Sequence, residues 1–176
     1  MRASCWRTST RCSGEHELEQ DGNLVRCLAL PIAGEQILIP NAVVAEVVAA
    51  DTVSPLSGDP QWLLGRLTWR GSVLPLVCME AAVGGTRIEA AARSKIVILK
   101  ALSASEALEN FAVLVQGIPH QVLATDQTVT LESPIDDGRP FVAADLQVEG
   151  ERAFIPNLDA VEKALMDVVD RWQATG

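Results

Sequence analysis

The stretch Trp62–Met79, WLLGRLTWRGSVLPLVCM, admits few conformations. Along its first half Gly65, Leu67 and Trp69 alternate with Leu64, Arg66, Thr68 and Arg70, the period of two of a half-buried strand. Arg70-Gly71-Ser72 interrupts the run, and Gly71 supplies the positive φ of a tight reversal at no steric cost. From Val73 to Met79 the chain is apolar throughout and contains Pro75, whose missing N–H places this second strand at an edge or a bulge. The reading is a β-hairpin with apolar arms and a cation, Arg70, at its tip. Such a tip is where a surface meets a partner.

The rest of the chain is organised around short strands. Residues 1–22 hold Ser, Thr, Gly and both charge signs without apolar periodicity, and they read as a flexible tail. Leu24 to Ile32 alternates, Ala33-Gly34-Glu35 turns, and Gln36 to Ile39 returns as a second strand. Pro40-Asn41 breaks it, and Glu46 to Ala50 forms another. Beyond the hairpin, Glu80 to Ser94 is a loop or frayed helical turn. Lys95 to Lys100 is a β-branched strand, and Ser103 to Glu109 a polar excursion. Phe111 to Val115 and Gln121 to Ala124, joined through Gly117, read as a second hairpin faintly echoing the first. Glu132 to Pro140 is turn chemistry; Phe141 to Val148 and Ala153 to Ile155 are strands joined through Glu149-Gly150. The chain closes on a helix over 157–172. Leu158, Val161, Leu165, Val168 and Trp172 form its apolar stripe, expected to dock on the protein's own core, and Asn157 is its N-cap.

Composition excludes several function classes. A net charge of -9 would repel a phosphate backbone, so no nucleic-acid partner is expected. No run approaches the roughly 18 apolar residues of a membrane span, so no membrane insertion is expected either. The first residues lack the apolar core of a secretory signal. Cys5, Cys12, Cys27 and Cys78 match no zinc or redox spacing, and they read as thiols of a cytoplasmic protein.

Convergent reactive groups are scarce. The chain has two histidines, His16 in the tail and His120 beside Pro119, and no tyrosine. One thiol constellation can be written: Cys78 as nucleophile, His120 as base and Asp126 as orienter, in a small β-barrel enzyme. Its spacing offers no support, and a cysteine inside an apolar strand is usually inert. Asp136-Asp137-Gly138 lacks the further oxygen ligands of a calcium loop, and Gly84-Gly85-Thr86-Arg87 lacks the lysine of a phosphate loop. No catalytic residue, metal site or cofactor is therefore assigned. A structural or ligand-sensing barrel is a third possibility.

From about Leu24 to Leu165 the chain resembles the CheW-like family of chemosensory coupling adaptors. Gly34-Glu35 and Ile39-Pro40 match that family's first turn and Ile-Pro step, and Val44-Ala45-Glu46-Val47 its V-x-E-[VI] element. Gly65, Arg70, Gly71 and Pro75 fill the signature G-x-x-N-x-R-G-x-x-x-P, with Thr68 at the asparagine position. FAVLVQGIPHQVL and AFIPNLDAVEKAL resemble its second hairpin and its closing strand-to-helix step. The resemblance implies a mostly β fold: two small five-stranded β-barrels side by side, an apolar groove between them, and a C-terminal α-helix. Laid on the chain, this gives one domain over 23–172, with halves at roughly 23–93 and 94–156. It also implies a non-catalytic adaptor without cofactor, linking the cytoplasmic signalling tip of a chemoreceptor to the regulatory domain of a histidine kinase. Its partner-binding residues would be Val44, Glu46, Gly65, Arg66, Trp69, Arg70 and Gly71, with Glu46 close to Arg70. Thr68, Cys78-Met79, Arg66 and Trp69 depart from the usual pattern, as in a branch resembling the adaptors of type IV pilus (twitching) systems.

Overall fold

The computed structural model describes residues 24–50, 54–55, 60–105, 107–134 and 138–175. The expected tail, residues 1–22, lies outside them, as do Asp136 and Asp137. The first strands are β1 (Val25–Ile32) and β2 (Glu35–Pro40), followed by a 3-10 turn at Asn41–Val43. Next come β3 (Val44–Ala49), β4 (Ser54–Pro55), β5 (Leu63–Trp69), β6 (Ser72–Cys78) and the one-turn helix α1 (Met79–Ala82). Two long strands follow, β7 (Lys95–Ser105) and β8 (Leu108–Val115). The last strands are β9 (His120–Ala124), β10 (Val129–Pro134), β11 (Val142–Val148) and β12 (Glu151–Pro156), before the closing helix α2 (Leu158–Thr175).

The strands form two six-stranded sheets, β10-β11-β12-β2-β1-β9 and β3-β7-β8-β6-β5-β4, where five strands each were expected. Nor do the sheets follow chain order. The chain begins in the first sheet, builds all of the second, and returns to finish the first. A division at 93/94 would cut the second sheet, because β7 pairs with β3 and β8 pairs with β6. The β1–β2 hairpin instead gains its neighbours, β9 and β12, from the far end of the chain. Each sheet is antiparallel except for one pair, β12 with β2 and β6 with β8.

Apolar residues face both ways along the central strands, and this explains their unbroken hydrophobic runs. In β1, Cys27 and Ala29 enter a cluster internal to the first sheet, while Leu28, Leu30 and Ile32 enter a cluster shared by both sheets. In β7, Ile96 and Ile98 fill the interior of the second sheet, while Val97 and Leu99 face the shared cluster. Residues of β8 divide likewise: Ala112 and Leu114 inward, Phe111, Val113 and Val115 toward the other sheet. There are thus two barrel-like interiors and one core between them. Helix α2 completes the shared core with Val161, Leu165, Val168 and Val169, so the stripe docks on the protein itself. Asn157 caps it as expected, its Oδ1 accepting the Ala160 N–H at 3.1 Å.

The expected β5–β6 hairpin is present, closed by the pair Trp69–Ser72. Both turn residues have positive φ, 49° at Arg70 and 85° at Gly71, the signature of the tight turn whose twist suits a hairpin. A non-glycine residue in this region is uncommon, so the arginine is held at the tip at some conformational cost. As a whole β6 is an interior strand. It pairs with β8 only over Leu76–Cys78, so Pro75 stands just before the second ladder begins.

Three expectations need correction. Phe111–Val115 and Gln121–Ala124 are not a hairpin: β8 lies in the second sheet and β9 pairs with β1 in the first. Val129–Pro134 is a strand paired with β11, in place of the turn expected from Glu132 onward. As an edge strand it needs only one ladder, so its proline and charged residue are tolerated. Finally, β7 does not end at Lys100 but runs on to Ser105 after a register shift.

Candidate functional site at the hairpin tip

Glu46 and Arg70 come from distant parts of the second sheet. Strand β3 is one edge of it, and β5 lies next to the other edge. Ala45 and Val48 of β3 nevertheless pack on the same interior cluster as Leu64 and Leu67 of β5. Filling that common interior wraps the sheet round and brings its two ends together.

At this closure, Nη2 of Arg70 lies 3.0 Å from Oε2 of Glu46. The indole Nε1–H of Trp69 donates to the same oxygen at 2.9 Å. The Arg70 guanidinium carbon is also 4.7 Å from the centroid of the Trp69 ring, within cation–π range. One carboxylate oxygen thus holds two consecutive residues of the hairpin. The guanidinium is fixed in direction by an ion pair below and an aromatic face beside it. Yet the Arg70 side chain remains 70% exposed and that of Glu46 39%. An ion pair so open to water adds about 0–1 kcal/mol of stability, too little for stability to be its main consequence. What it does is aim a planar donor fork outward.

The seven residues expected to bind partners are not all at this point. Glu46, Trp69, Arg70 and Gly71 are brought together. Gly65 is buried inside β5, at the register shift that also turns Leu64 inward beside Leu67. Val44 opens β3 and packs against the core between the sheets. Arg66 lies elsewhere, its guanidinium carbon 4.0 Å from the ring centroid of Trp172 in α2. That contact was not foreseen. Its only signal is a tryptophan ending an otherwise aliphatic stripe, where its N–H needs a partner.

The thiol constellation is not assembled. Cys78 is fully buried in the second sheet's interior, its Sγ donating to Glu80 Oε2 at 3.2 Å and accepting the Ile88 N–H at 3.4 Å. Burial pushes its thiol above the ordinary cysteine range, and Cys27 is pushed the same way by the same cause. His120 is exposed on β9, in the other sheet, and no hydrogen bond joins the two. A thiol held protonated and sealed is a poor nucleophile. In native protein at pH 8, peptide-resolved mass spectrometry should find Cys27 and Cys78 unalkylated by iodoacetamide until denaturant is added. Native modification of Cys78 at the rate of an exposed thiol would return the enzyme reading to contention. No described helix is long and apolar enough to cross a membrane.

Comparison with known proteins agrees with this architecture. The chain is 24% identical over 136 residues to the chemotaxis protein CheW of Rhizobium meliloti (strain 1021), covering 76% of this chain and 84% of that one. Its fold is similar to the crystal structure of the scaffolding protein TtCheW from Thermoanaerobacter tengcongensis. The TM-score is 0.63 at 17% identity, covering 77% of this chain and 90% of the other. The model of the CheW-like domain matches residues 26–165, which include both sheets and the first half of α2, and the chain therefore belongs to the CheW-like domain family.

Proposed function

We propose that this protein is a non-catalytic cytoplasmic adaptor, coupling the signalling tip of a chemoreceptor to the regulatory domain of a histidine kinase. The observation that carries the reading is the oriented Arg70 fork on its Glu46–Trp69 support. These residues stand at the positions where family members carry their hairpin arginine and V-x-E-[VI] glutamate. An exposed guanidinium fixed in direction recognises a carboxylate with less ordering cost than a free one. Gly71 beside it adds backbone without a side chain, so a partner can approach closely. The departures at Thr68, Cys78 and Met79 favour a branch serving a pilus-linked chemosensory system.

The test is co-sedimentation with a receptor signalling tip, with and without kinase. Arg70→Ala should leave melting nearly unchanged and weaken capture about tenfold, or about 1.4 kcal/mol. Arg70→Lys should restore part of that, because an ammonium cannot reproduce the planar fork. Capture by Arg70→Ala equal to wild type would remove the hairpin tip from the interface.

A further inference from the structure

Beside the β5–β6 hairpin, an open trough of about 340 Å³ runs between it, the start of β8 and α2. One part of its lining is Arg66 stacked on Trp172, the residue whose place in the fold the hairpin tip does not explain. Val73, 58% exposed, gives it apolar surface, with the buried Leu108 and Val169 at its floor. Two nitrogens of this stack, Nε of Arg66 and Nε1 of Trp172, are buried without any hydrogen-bond partner. Each such donor has given up its hydrogen bond to water without a replacement, and most native structures avoid this. Two buried orphan donors in one stack, on residues that line one open trough, are a matched deficit of acceptors.

We propose that this trough is an anchor site for an acidic side chain of a protein partner. The chemistry selects the ligand. Both orphan groups only donate, and one belongs to a cation with no carboxylate paired to it among the described residues, so the missing group is an anionic acceptor. A carboxylate meets them when the stack loosens by a side-chain rotation. The protein's net charge of -9 and Glu109 on the trough wall disfavour a free small anion. A carboxylate carried on a polypeptide offsets that repulsion with apolar contact along the exposed Val73. The trough also adjoins the hairpin tip in sequence, since Ser72, which follows the turn, lines it. The occupant's being a protein rests on the adaptor reading; the carboxylate specificity does not.

The experiment uses the full chain and two capped dipeptides, N-acetyl-Leu-Glu-amide and N-acetyl-Leu-Gln-amide, followed by the indole N–H resonances in nuclear magnetic resonance. Trp172→Phe identifies the Trp172 signal by its loss. The glutamyl dipeptide should move that signal downfield and saturably, with the glutaminyl one at least tenfold weaker. Arg66→Gln should weaken the glutamyl response at least tenfold, and Arg66→Lys, which keeps the charge without the planar stack, by less. No shift, or equal shifts from both dipeptides, would overturn the assignment. So would a saturable response to free succinate alone. Receptor and kinase capture is measured separately: its loss with dipeptide recognition intact would sink the adaptor reading only, and the converse would sink only the trough.

Discussion

Leu165→Asp should cost about 4 kcal/mol and lower Tm by roughly 10 °C. Leu165 is fully buried at the centre of the α2 stripe, in the core where both sheets meet the helix. The substitution removes an aliphatic side chain worth about 1.5–3 kcal/mol of burial and puts a carboxylate where apolar groups surround it. That carboxylate must take up a proton or draw water into the core, and either adds to the cost. Leu165→Ala, which leaves only a cavity, should cost about 3 kcal/mol. Thermal and urea unfolding check both values. Wild-type melting with lost partner capture would mean instead that the stripe is an interface.

Glu162→Ala should cost about 3 kcal/mol, a large effect for a single charged residue. Glu162 is buried in α2, and its two carboxylate oxygens accept the backbone N–H groups of Leu102 and Ser103 at 2.6 and 2.9 Å. Strand β7 needs this help. Its ladder with β8 is regular as far as Lys100–Asn110 and resumes only at Ser105–Leu108. In that gap the Glu162 side chain stands in for a neighbouring strand. Alanine leaves two part-buried backbone donors without their acceptors. Glu162→Gln keeps one acceptor oxygen but turns an amide N–H toward the other donor, so it should lose about half as much. Amide exchange at Leu102 and Ser103 should quicken in both variants before the rest of β7 changes. A cost below about 1 kcal/mol for Glu162→Ala would show that solvent satisfies these groups as well.

Glu162 also shows a limit of reading the sequence alone. On the helix pattern it is one more charge between apolar positions and would be placed in solvent. Its role depends on a register shift in a strand sixty residues earlier in the chain, which no local period records. Arg66 is similar. Alternation along β5 correctly opposes it to Trp69, but only the docking of α2 puts Trp172 beneath its guanidinium. Val44 and Gly65, expected at the site by resemblance, pack inward because each adjoins a register shift in its strand. Glu46 and Arg70 were legible because the family motif pairs them, and the closed second sheet brings them within 3.0 Å.

The features readable from sequence are those that neighbouring residues decide among themselves. The Arg70-Gly71 reversal follows from a glycine that tolerates positive φ. The strand periods of β1, β2 and β5, the Asn157 cap and the α2 stripe likewise depend on residues within a few positions of one another. Which strands become neighbours depends instead on the packed fold. β1, β7 and β8 are apolar on both faces, so their own pattern does not say which face turns into a barrel and which toward the other sheet. That choice rests on burying all these faces at once, with α2 covering what remains. The interleaved order of the sheets, the sealed Cys78 and the Arg66–Trp172 stack all follow from it, because each joins residues whose contact exists only after the core has closed.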